Sequence, residues 1–213
     1  MAKELSYIDY ECYIFDFDGV ILNSNLVKEN AIEIASQEYN QNLNYEDFLT
    51  FFKNNNGITR EKKIRKFFAE EDSIIIENNY SSLLRDELPK CNLIDGIETF
   101  LELIIKKTTN LNVLSGGDRK EVLDILDKKN LKHFFCEVLG GPKEKEQNLK
   151  KIKSKSKTIY FGDSKLDYEV ALKNNFDFVF VYEKSRLKNW RNALDFSKGN
   201  CTAIKNFAEI NNV

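Results

Sequence analysis

In IFDFDGVILNS, an apolar run ends on Asp16 and Asp18, and Gly19 follows at once. Alternation along an extended chain sends side chains at i and i+2 off the same side, so the two carboxylates face one way. In an open parallel sheet, ligands bind just beyond the carboxyl ends of the strands, which is where this pair falls. Gly19 lets the backbone turn sharply and come close to a ligand. Taken alone, the pair also matches two turn-capping aspartates. A second corner, LNVLSGGDRKEV, repeats the order of strand, small hydroxyl, glycines and helix start. There Ser115 stands at the strand end, and Gly116 and Gly117 offer unobstructed backbone N–H groups to an anion. A third segment, TIYFGDSKLDYEVA, runs an apolar strand into Gly162 and Asp163 and sets Asp167 one helical turn further on.

Asp16, Asp18, Asp163 and Asp167 gathered at one sheet edge would repel one another, because like charges at close range disfavour joint ionisation. A hard, oxygen-seeking cation resolves the conflict, and Mg2+ is the economical choice. GGPKEKEQNL adds a lysine ahead of the last motif, Lys143 or Lys145, whose ammonium would balance charge on a transferred phosphoryl group.

Such a constellation needs strands to hold it. Cys12 to Phe15, Leu111 to Leu114, Thr158 to Phe161 and Phe178 to Val181 are short apolar runs rich in β-branched and aromatic residues, with Cys136 to Leu139 a weaker fifth. Helical periods over Gly96 to Lys107 and Arg119 to Asn130 lie between them, and this alternation predicts a parallel sheet flanked by helices. The interval from about Asn25 to Cys91 is helical in period throughout, apart from a doubtful strand at Ile74 to Ile76, and reads as an inserted helical domain. Leu22 to Asn25 and Pro89 to Asp95 are its expected linkers, with Pro89 disfavouring helix at Leu88. The chain would then leave and rejoin the sheet side by side.

In the order DxD-G, strand-Ser, Lys, G-D-S-x-x-D, these residues resemble the haloacid dehalogenase (HAD) superfamily, over essentially the whole chain. The resemblance implies an α/β fold, a Rossmann-like parallel sheet core with an inserted α-helical cap domain, similar to the phosphoglycolate phosphatase and β-phosphoglucomutase branch. Residues 1–22 and 93–213 would form the core and 23–92 the cap. By the same resemblance Asp16 is the nucleophile that forms an aspartyl-phosphate, and Asp18 is the acid/base that protonates the leaving oxygen and then activates water. An acid at position 18 speaks against dehalogenation, where halide leaves unprotonated. Mg2+ would be held by Asp16, the backbone carbonyl of Asp18 and Asp163, with Asp167 in support. Ser115 and Gly116 would bind the phosphoryl oxygens, and Lys145 fits the lysine position better than Lys143. Arg60, in NNGITREKKIRKF, would present a guanidinium to the non-reacting end of the substrate. Its basic neighbours Lys62, Lys63, Arg65 and Lys66 equally suit a solvated helix face. Lys28 stands near the mutase branch's usual histidine, and Asn23 replaces an aspartate common in the phosphatases.

Composition sets the remaining limits. Lys and Arg number 32 against 34 Asp and Glu, a net charge of −2 that gives no basic excess to attract nucleic acid. No apolar stretch approaches the roughly 20 residues needed to span a bilayer, and the first segment lacks the order of a signal peptide. Cys12, Cys91, Cys136 and Cys201 form no CxxC pair and suit thiols of a reducing cytoplasm. His133 and Trp190 read as structural residues. The expectation is a cytoplasmic, Mg2+-dependent phosphatase, monomer or homodimer, acting on a small phosphorylated metabolite such as a sugar phosphate. A phosphohexomutase is the alternative, and a catalytically silent metabolite- or partner-binding relative a more distant one.

Overall fold

The computed structural model describes residues 7–41, 44–153 and 157–211. The 6-stranded sheet comprises β1 (Cys12–Phe15), β2 (Leu111–Asp118), β3 (Glu137–Gly141), β4 (Thr158–Gly162), β5 (Asp177–Val181) and β6 (Cys201–Ile204), in spatial order β3-β2-β1-β4-β5-β6. Every adjacent pair is parallel. The chain runs outward from β1 to β3, then returns to lay β4 on the other side of β1, so the order reverses between β1 and β4. The carboxyl ends of those two strands therefore flank the crevice where open α/β sheets bind ligands.

Parallel strands covered on both faces read as continuous apolar runs, and β1 is buried at all its positions. Its alternate side chains serve different cores. Tyr13 and Phe15 join Phe100, Phe161 and Phe207 on one face, where the Phe15 and Phe161 rings stack at 5.1 Å. Ile14 joins Leu114, Tyr160, Tyr168 and Phe178 on the other.

Between β1 and β2 lie α1 (Asn25–Ala35), α2 (Tyr45–Asn54), α3 (Arg60–Arg65) and α4 (Glu70–Glu87), the helical insertion that the periodicity implied. Ile32, Phe48, Ile64, Ile76 and Leu84 are its buried centre. The segment Ile74 to Ile76 is helix, not strand: Ile74 and Ile75 are exposed, while Ser73, Ile76, Tyr80 and Leu84 recur at helical spacing on the buried face of α4. Pro89 does not keep Leu88 out of helical conformation, since a 3-10 turn over Leu88–Lys90 continues α4. The linkers do run side by side, with a bridge between Leu22 and Leu93, Asn23 N–H donating to Asn92 O at 2.9 Å, and Ile94 N–H donating to Ile21 O at 2.9 Å.

The sheet is flanked by α5 (Ile97–Ile104), α6 (Arg119–Lys128), α7 (Lys145–Leu149) and α8 (Lys165–Lys173), and closed at the C-terminal side by α9 (Trp190–Ala193) and α10 (Ala208–Asn211). Trp190 is a packing residue, its ring 5.4 Å from those of Phe180 and Tyr182. His133 is exposed in a 3-10 turn beside Phe134. Among the described residues no helix is long and apolar enough to cross a membrane.

Candidate active site

Asp16 is the first residue beyond β1 and is 3% exposed. Its Oδ1 accepts the Phe17 N–H at 2.7 Å and faces Lys145 Nζ at 2.8 Å, which leaves Oδ2 without a hydrogen bond among the described residues. Lys145 opens α7 and is buried to 1% exposure beside Asp16, whereas Lys143 is exposed. The ammonium also reaches Asp167 Oδ1 at 2.6 Å, making a buried carboxylate–ammonium–carboxylate bridge. Burial would strip the proton from Lys145, but Asp16 and Asp167 outweigh burial and hold it charged.

Asp167 is fixed from several directions. Tyr160 OH donates to its Oδ1 at 2.6 Å, and Ser164 Oγ donates to its Oδ2 at 2.6 Å. Ser164 caps α8, accepting the Asp167 N–H at 3.2 Å, while Asp167 Oδ2 accepts the Ser164 N–H at 3.2 Å. This reciprocal box explains why the sequence G-D-S-x-x-D turns from strand to helix here. A side chain at Gly162 would place its Cβ 2.3 Å from Asp167 Cβ, so the glycine admits this approach.

Asp163, 1% exposed, lies at the end of β4. Its Oδ2 accepts from Asn25 Nδ2 at 2.8 Å, its backbone carbonyl accepts from Ser185 Oγ at 2.5 Å, and its buried Oδ1 has no hydrogen-bond partner among the described residues. Oxygens of Asp16, Asp163 and Asp167 lie within 4.8 Å of one another. Burial, opposed by Lys145 and aided by Asp167 and Asp18, pushes Asp16 up to about 7. Burial together with Asp16 and Asp167 pushes Asp163 well above the carboxylate range. One ammonium does not balance three buried carboxylates. The orphaned Asp163 oxygen and this surplus of negative charge fit a divalent, oxygen-seeking cation such as Mg2+. Gly19 makes the approach possible: at φ 77° it needs no Cβ, and one placed there would lie 2.2 Å from Asp163 Oδ2.

Asp18 projects into the crevice. Ser24 Oγ donates to its Oδ1 at 2.5 Å and Lys28 Nζ, from α1, to its Oδ2 at 2.5 Å. Burial favours the neutral acid, but the Lys28 ammonium and these hydrogen bonds prevail and hold Asp18 below its ordinary value.

Ser115 is fully buried and its Oγ accepts the Gly117 N–H at 2.9 Å. The strand continues past it to Asp118, whose side chain caps α6 by accepting from Lys120 N–H and Glu121 N–H. The glycines therefore lie within β2, which runs past the strand end expected at Ser115. Gly116 and Gly117 line a cavity of about 50 Å³ with Asp16, Asp18, Lys28 and Lys63. A Cβ at Gly116 would lie 2.3 Å from the Gly57 carbonyl oxygen, so the loop between α2 and α3 rests directly on the sheet edge.

Arg60 is drawn into this cavity's wall without a free guanidinium. Nη1 donates to Glu121 Oε1 at 2.7 Å and to Ser81 Oγ at 2.9 Å, Nη2 donates to Glu121 Oε2, and the group lies 4.9 Å from the Tyr80 ring centre. It is neither a solvated surface arginine nor an unoccupied substrate donor.

Residues 13–181 match the family model of haloacid dehalogenase-like hydrolases, which spans most of the chain. The chain belongs to this family. No protein of curated function matches it significantly in sequence. Among solved structures, it is similar to a predicted phosphatase from Clostridium acetobutylicum at 19% identity and a TM-score of 0.72, covering 96% of this chain and 99% of that one. A predicted phosphoglycolate phosphatase from Haemophilus somnus is similar at 19% identity and a TM-score of 0.70, over 95% and 97% of the two chains. A β-phosphoglucomutase from Clostridium difficile is similar at 19% identity and a TM-score of 0.70, over 94% and 93%. At such identities the likeness is one of fold: a HAD-like hydrolase core of parallel sheet and flanking helices.

Within this HAD-like site, Asn25, Tyr160, Ser164, Ser185 and Lys63 take parts that sequence inspection did not assign. Ser164 alone had a signal, as the serine of the GDS motif. Asn25 and Ser185 reach Asp163 from positions 138 and 22 residues away, with nothing local to mark them.

Proposed function

We propose that this chain is a Mg2+-dependent phosphatase that cleaves a small phosphate monoester through an aspartyl-phosphate on Asp16. The observation that carries this reading is the state of Asp16. Its Oδ1 is held by Phe17 N–H and Lys145, its Oδ2 has no hydrogen bond among the described residues, and an oxygen of Asp16 lies within 4.8 Å of one of Asp163. The family match and the neighbours described as phosphatases support the same reaction class.

Asp16 Oδ2 forms a bond to phosphorus as the bond from phosphorus to the ester oxygen breaks. Asp18 gives its proton to the departing alkoxide oxygen. The arriving phosphoryl dianion competes for Lys28 and repels the Asp18 carboxylate, and both effects favour the protonated acid that this step requires. Asp18, now ionised, takes a proton from water. That water attacks phosphorus, the Asp16–phosphorus bond breaks, and inorganic phosphate leaves. Lys145 opposes the effect of burial on Asp16 and orients it, while Asp167, braced by Tyr160 and Ser164, keeps Lys145 in place. Mg2+, when bound by Asp16, the Asp18 carbonyl and Asp163, would supply positive charge that lets a carboxylate approach a phosphate dianion. Ser115 and Gly116, at the edge of the cavity, would bind the phosphoryl oxygens, the Gly117 N–H being held by Ser115 Oγ. Residues 23–92 act as a cap over the core formed by 1–22 and 93–213, and exclude water from the crevice.

Phosphate release from a panel of phosphate monoesters, with Mg2+ and then with excess EDTA, tests the proposal. Metal-dependent release by the native protein and none by Asp16→Asn is the expected result. Release that persists in EDTA removes the metal from the account, and isomerised sugar phosphate without net phosphate release would select a mutase.

A further inference from the structure

Asn25 opens α1 with a polar side chain that is only 6% exposed. A buried amide is costly unless its hydrogen-bonding groups are met. Its Nδ2 meets two acceptors, donating to Asp163 Oδ2 at 2.8 Å and to the Lys184 carbonyl at 3.0 Å. Its Oδ1 accepts from Asn56 Nδ2 at 3.4 Å, in the loop between α2 and α3. A backbone carbonyl can only accept, so Lys184 fixes which way round the amide stands.

The consequence falls unequally on the two oxygens of Asp163. Oδ2 is enclosed by the Asn25 amide and by Gly19, where an added Cβ would lie 2.2 Å from Oδ2 and 2.6 Å from Asn25 Nδ2. Oδ1 has no hydrogen-bond partner among the described residues. The loop after β5 holds this aspartate twice, at its backbone carbonyl through Ser185 Oγ and at its carboxylate through the amide anchored on Lys184. Ser24, one residue earlier, spends its hydroxyl on Asp18. Consecutive residues at the start of the insertion therefore hold two aspartates of the site.

Resting on the Mg2+-dependent reading above, we propose that Asn25 is a positioning residue for the cation site, which takes up Oδ2 of Asp163 and leaves Oδ1 to the cation. A carboxylate already held in one orientation loses less freedom when it binds a metal, which is why outer partners of metal ligands tune affinity. Asn25 belongs to the insertion and Asp163 to the core, so its amide reaches the carboxylate only while α1 is docked. Two events that favour each other do so reciprocally, and a cation bound at Asp163 holds α1 against the core in turn.

Calorimetric titration with Mg2+, without substrate, tests the assignment. Asn25→Ala and Asn25→Leu should bind Mg2+ about 10- to 100-fold more weakly than the native protein. Glu29→Gln is the control, since Glu29 lies one turn further along α1 and pairs with Arg186 of the same loop. Its loss of affinity should be clearly smaller. Native affinity in the Asn25 variants, even with stability in EDTA lowered, would reduce Asn25 to a packing contact and overturn the assignment. An equal loss in Glu29→Gln would overturn it too, by crediting the docking of α1 alone. If neither Asn25 variant folds, the native protein still decides: Mg2+, compared with EDTA, should slow hydrogen exchange in the first turns of α1, and exchange indifferent to Mg2+ would contradict the proposal. Two failures are told apart by the native titration. Binding that the variants share equally sinks only the part of Asn25, whereas no binding by the native protein removes the cation from the phosphatase reading and the assignment with it.

Discussion

Arg60 Nη1 and Glu121 Oε1 lie 2.7 Å apart and join the first turn of α3 in the helical insertion to the first turn of α6 on the core. Burial works against the guanidinium charge, and the hydrogen bonds and charge of Glu121 overcome it and strengthen the proton's hold. An arginine at this place in the chain would otherwise be taken for a substrate ligand. As a link between insertion and core, it should be coupled to its partner. A double-mutant cycle with Arg60→Ala and Glu121→Ala, read by urea unfolding, should show an interaction of roughly 1–3 kcal/mol. Additive effects would return Arg60 to the substrate.

Asp18 as proton donor should matter in proportion to how badly the leaving group needs a proton. Asp18→Asn should lower kcat for an alkyl phosphate by roughly 10²- to 10⁴-fold. The loss for p-nitrophenyl phosphate, whose leaving group departs without protonation, should be much smaller. An equal loss on both substrates would assign Asp18 to metal or phosphate binding alone.

Lys63 makes a prediction about stability that is independent of turnover. Its folded-state value of about 7 lies below the ordinary 10.5 of an unfolded chain. Between those values the unfolded chain binds a proton that the native state does not, so this group makes stability rise with pH over that window. Below about 7 the full penalty of burying the charge is present. Lys63→Met should therefore be more stable than the native protein at pH 7, by a few kcal/mol, and the difference should shrink by pH 9. A difference that does not change with pH would show that the ammonium is not desolvated.

Gly19 and Gly116 are among the glycines where no side chain fits. Gly19→Ala combines a φ of 77° with a Cβ 2.2 Å from Asp163 Oδ2, and should cost about 1–2 kcal/mol in backbone strain while displacing Asp163. Gly116→Ala should instead lift the Gly57 loop off the sheet, since its Cβ would meet that carbonyl at 2.3 Å. Mg2+ titration by calorimetry distinguishes them: binding should be lost or strongly weakened in the first variant and kept in the second. Unaltered metal binding in Gly19→Ala would show that the carboxylate moves aside without consequence.

Much of this architecture is legible in the residues because local and tertiary requirements agree there. Strand β1, with its unbroken apolar run ending on Asp16-Phe17-Asp18-Gly19, is buried on both faces and could hardly be anything else. The insertion, too, follows from helical period alone. The strand β6 escapes because CTAI is an edge strand of intermediate burial, and its pattern carries little apolar signal. Ile74 to Ile76 misleads because β-branched residues favour strands locally, while the spacing of Ser73, Ile76, Tyr80 and Leu84 decides for helix. Within the site, the aspartates and Lys145 announce themselves through ordered motifs. Asn25, Ser185 and the Arg60–Glu121 pair do not, since each depends on a contact between segments far apart in the chain. Lys63 sits in a basic run that looks solvated until its burial is seen.

The central claim is covalent: phosphorus passes through Asp16. Acid-quenching the Mg2+-loaded protein during turnover of a phosphate monoester, followed by peptide mass analysis, measures this directly. The account predicts a hydroxylamine-labile phosphoryl group on the peptide carrying Asp16, and neither label nor phosphate release in Asp16→Asn. Near-native phosphate release by Asp16→Asn, or a label on any other residue, would contradict it.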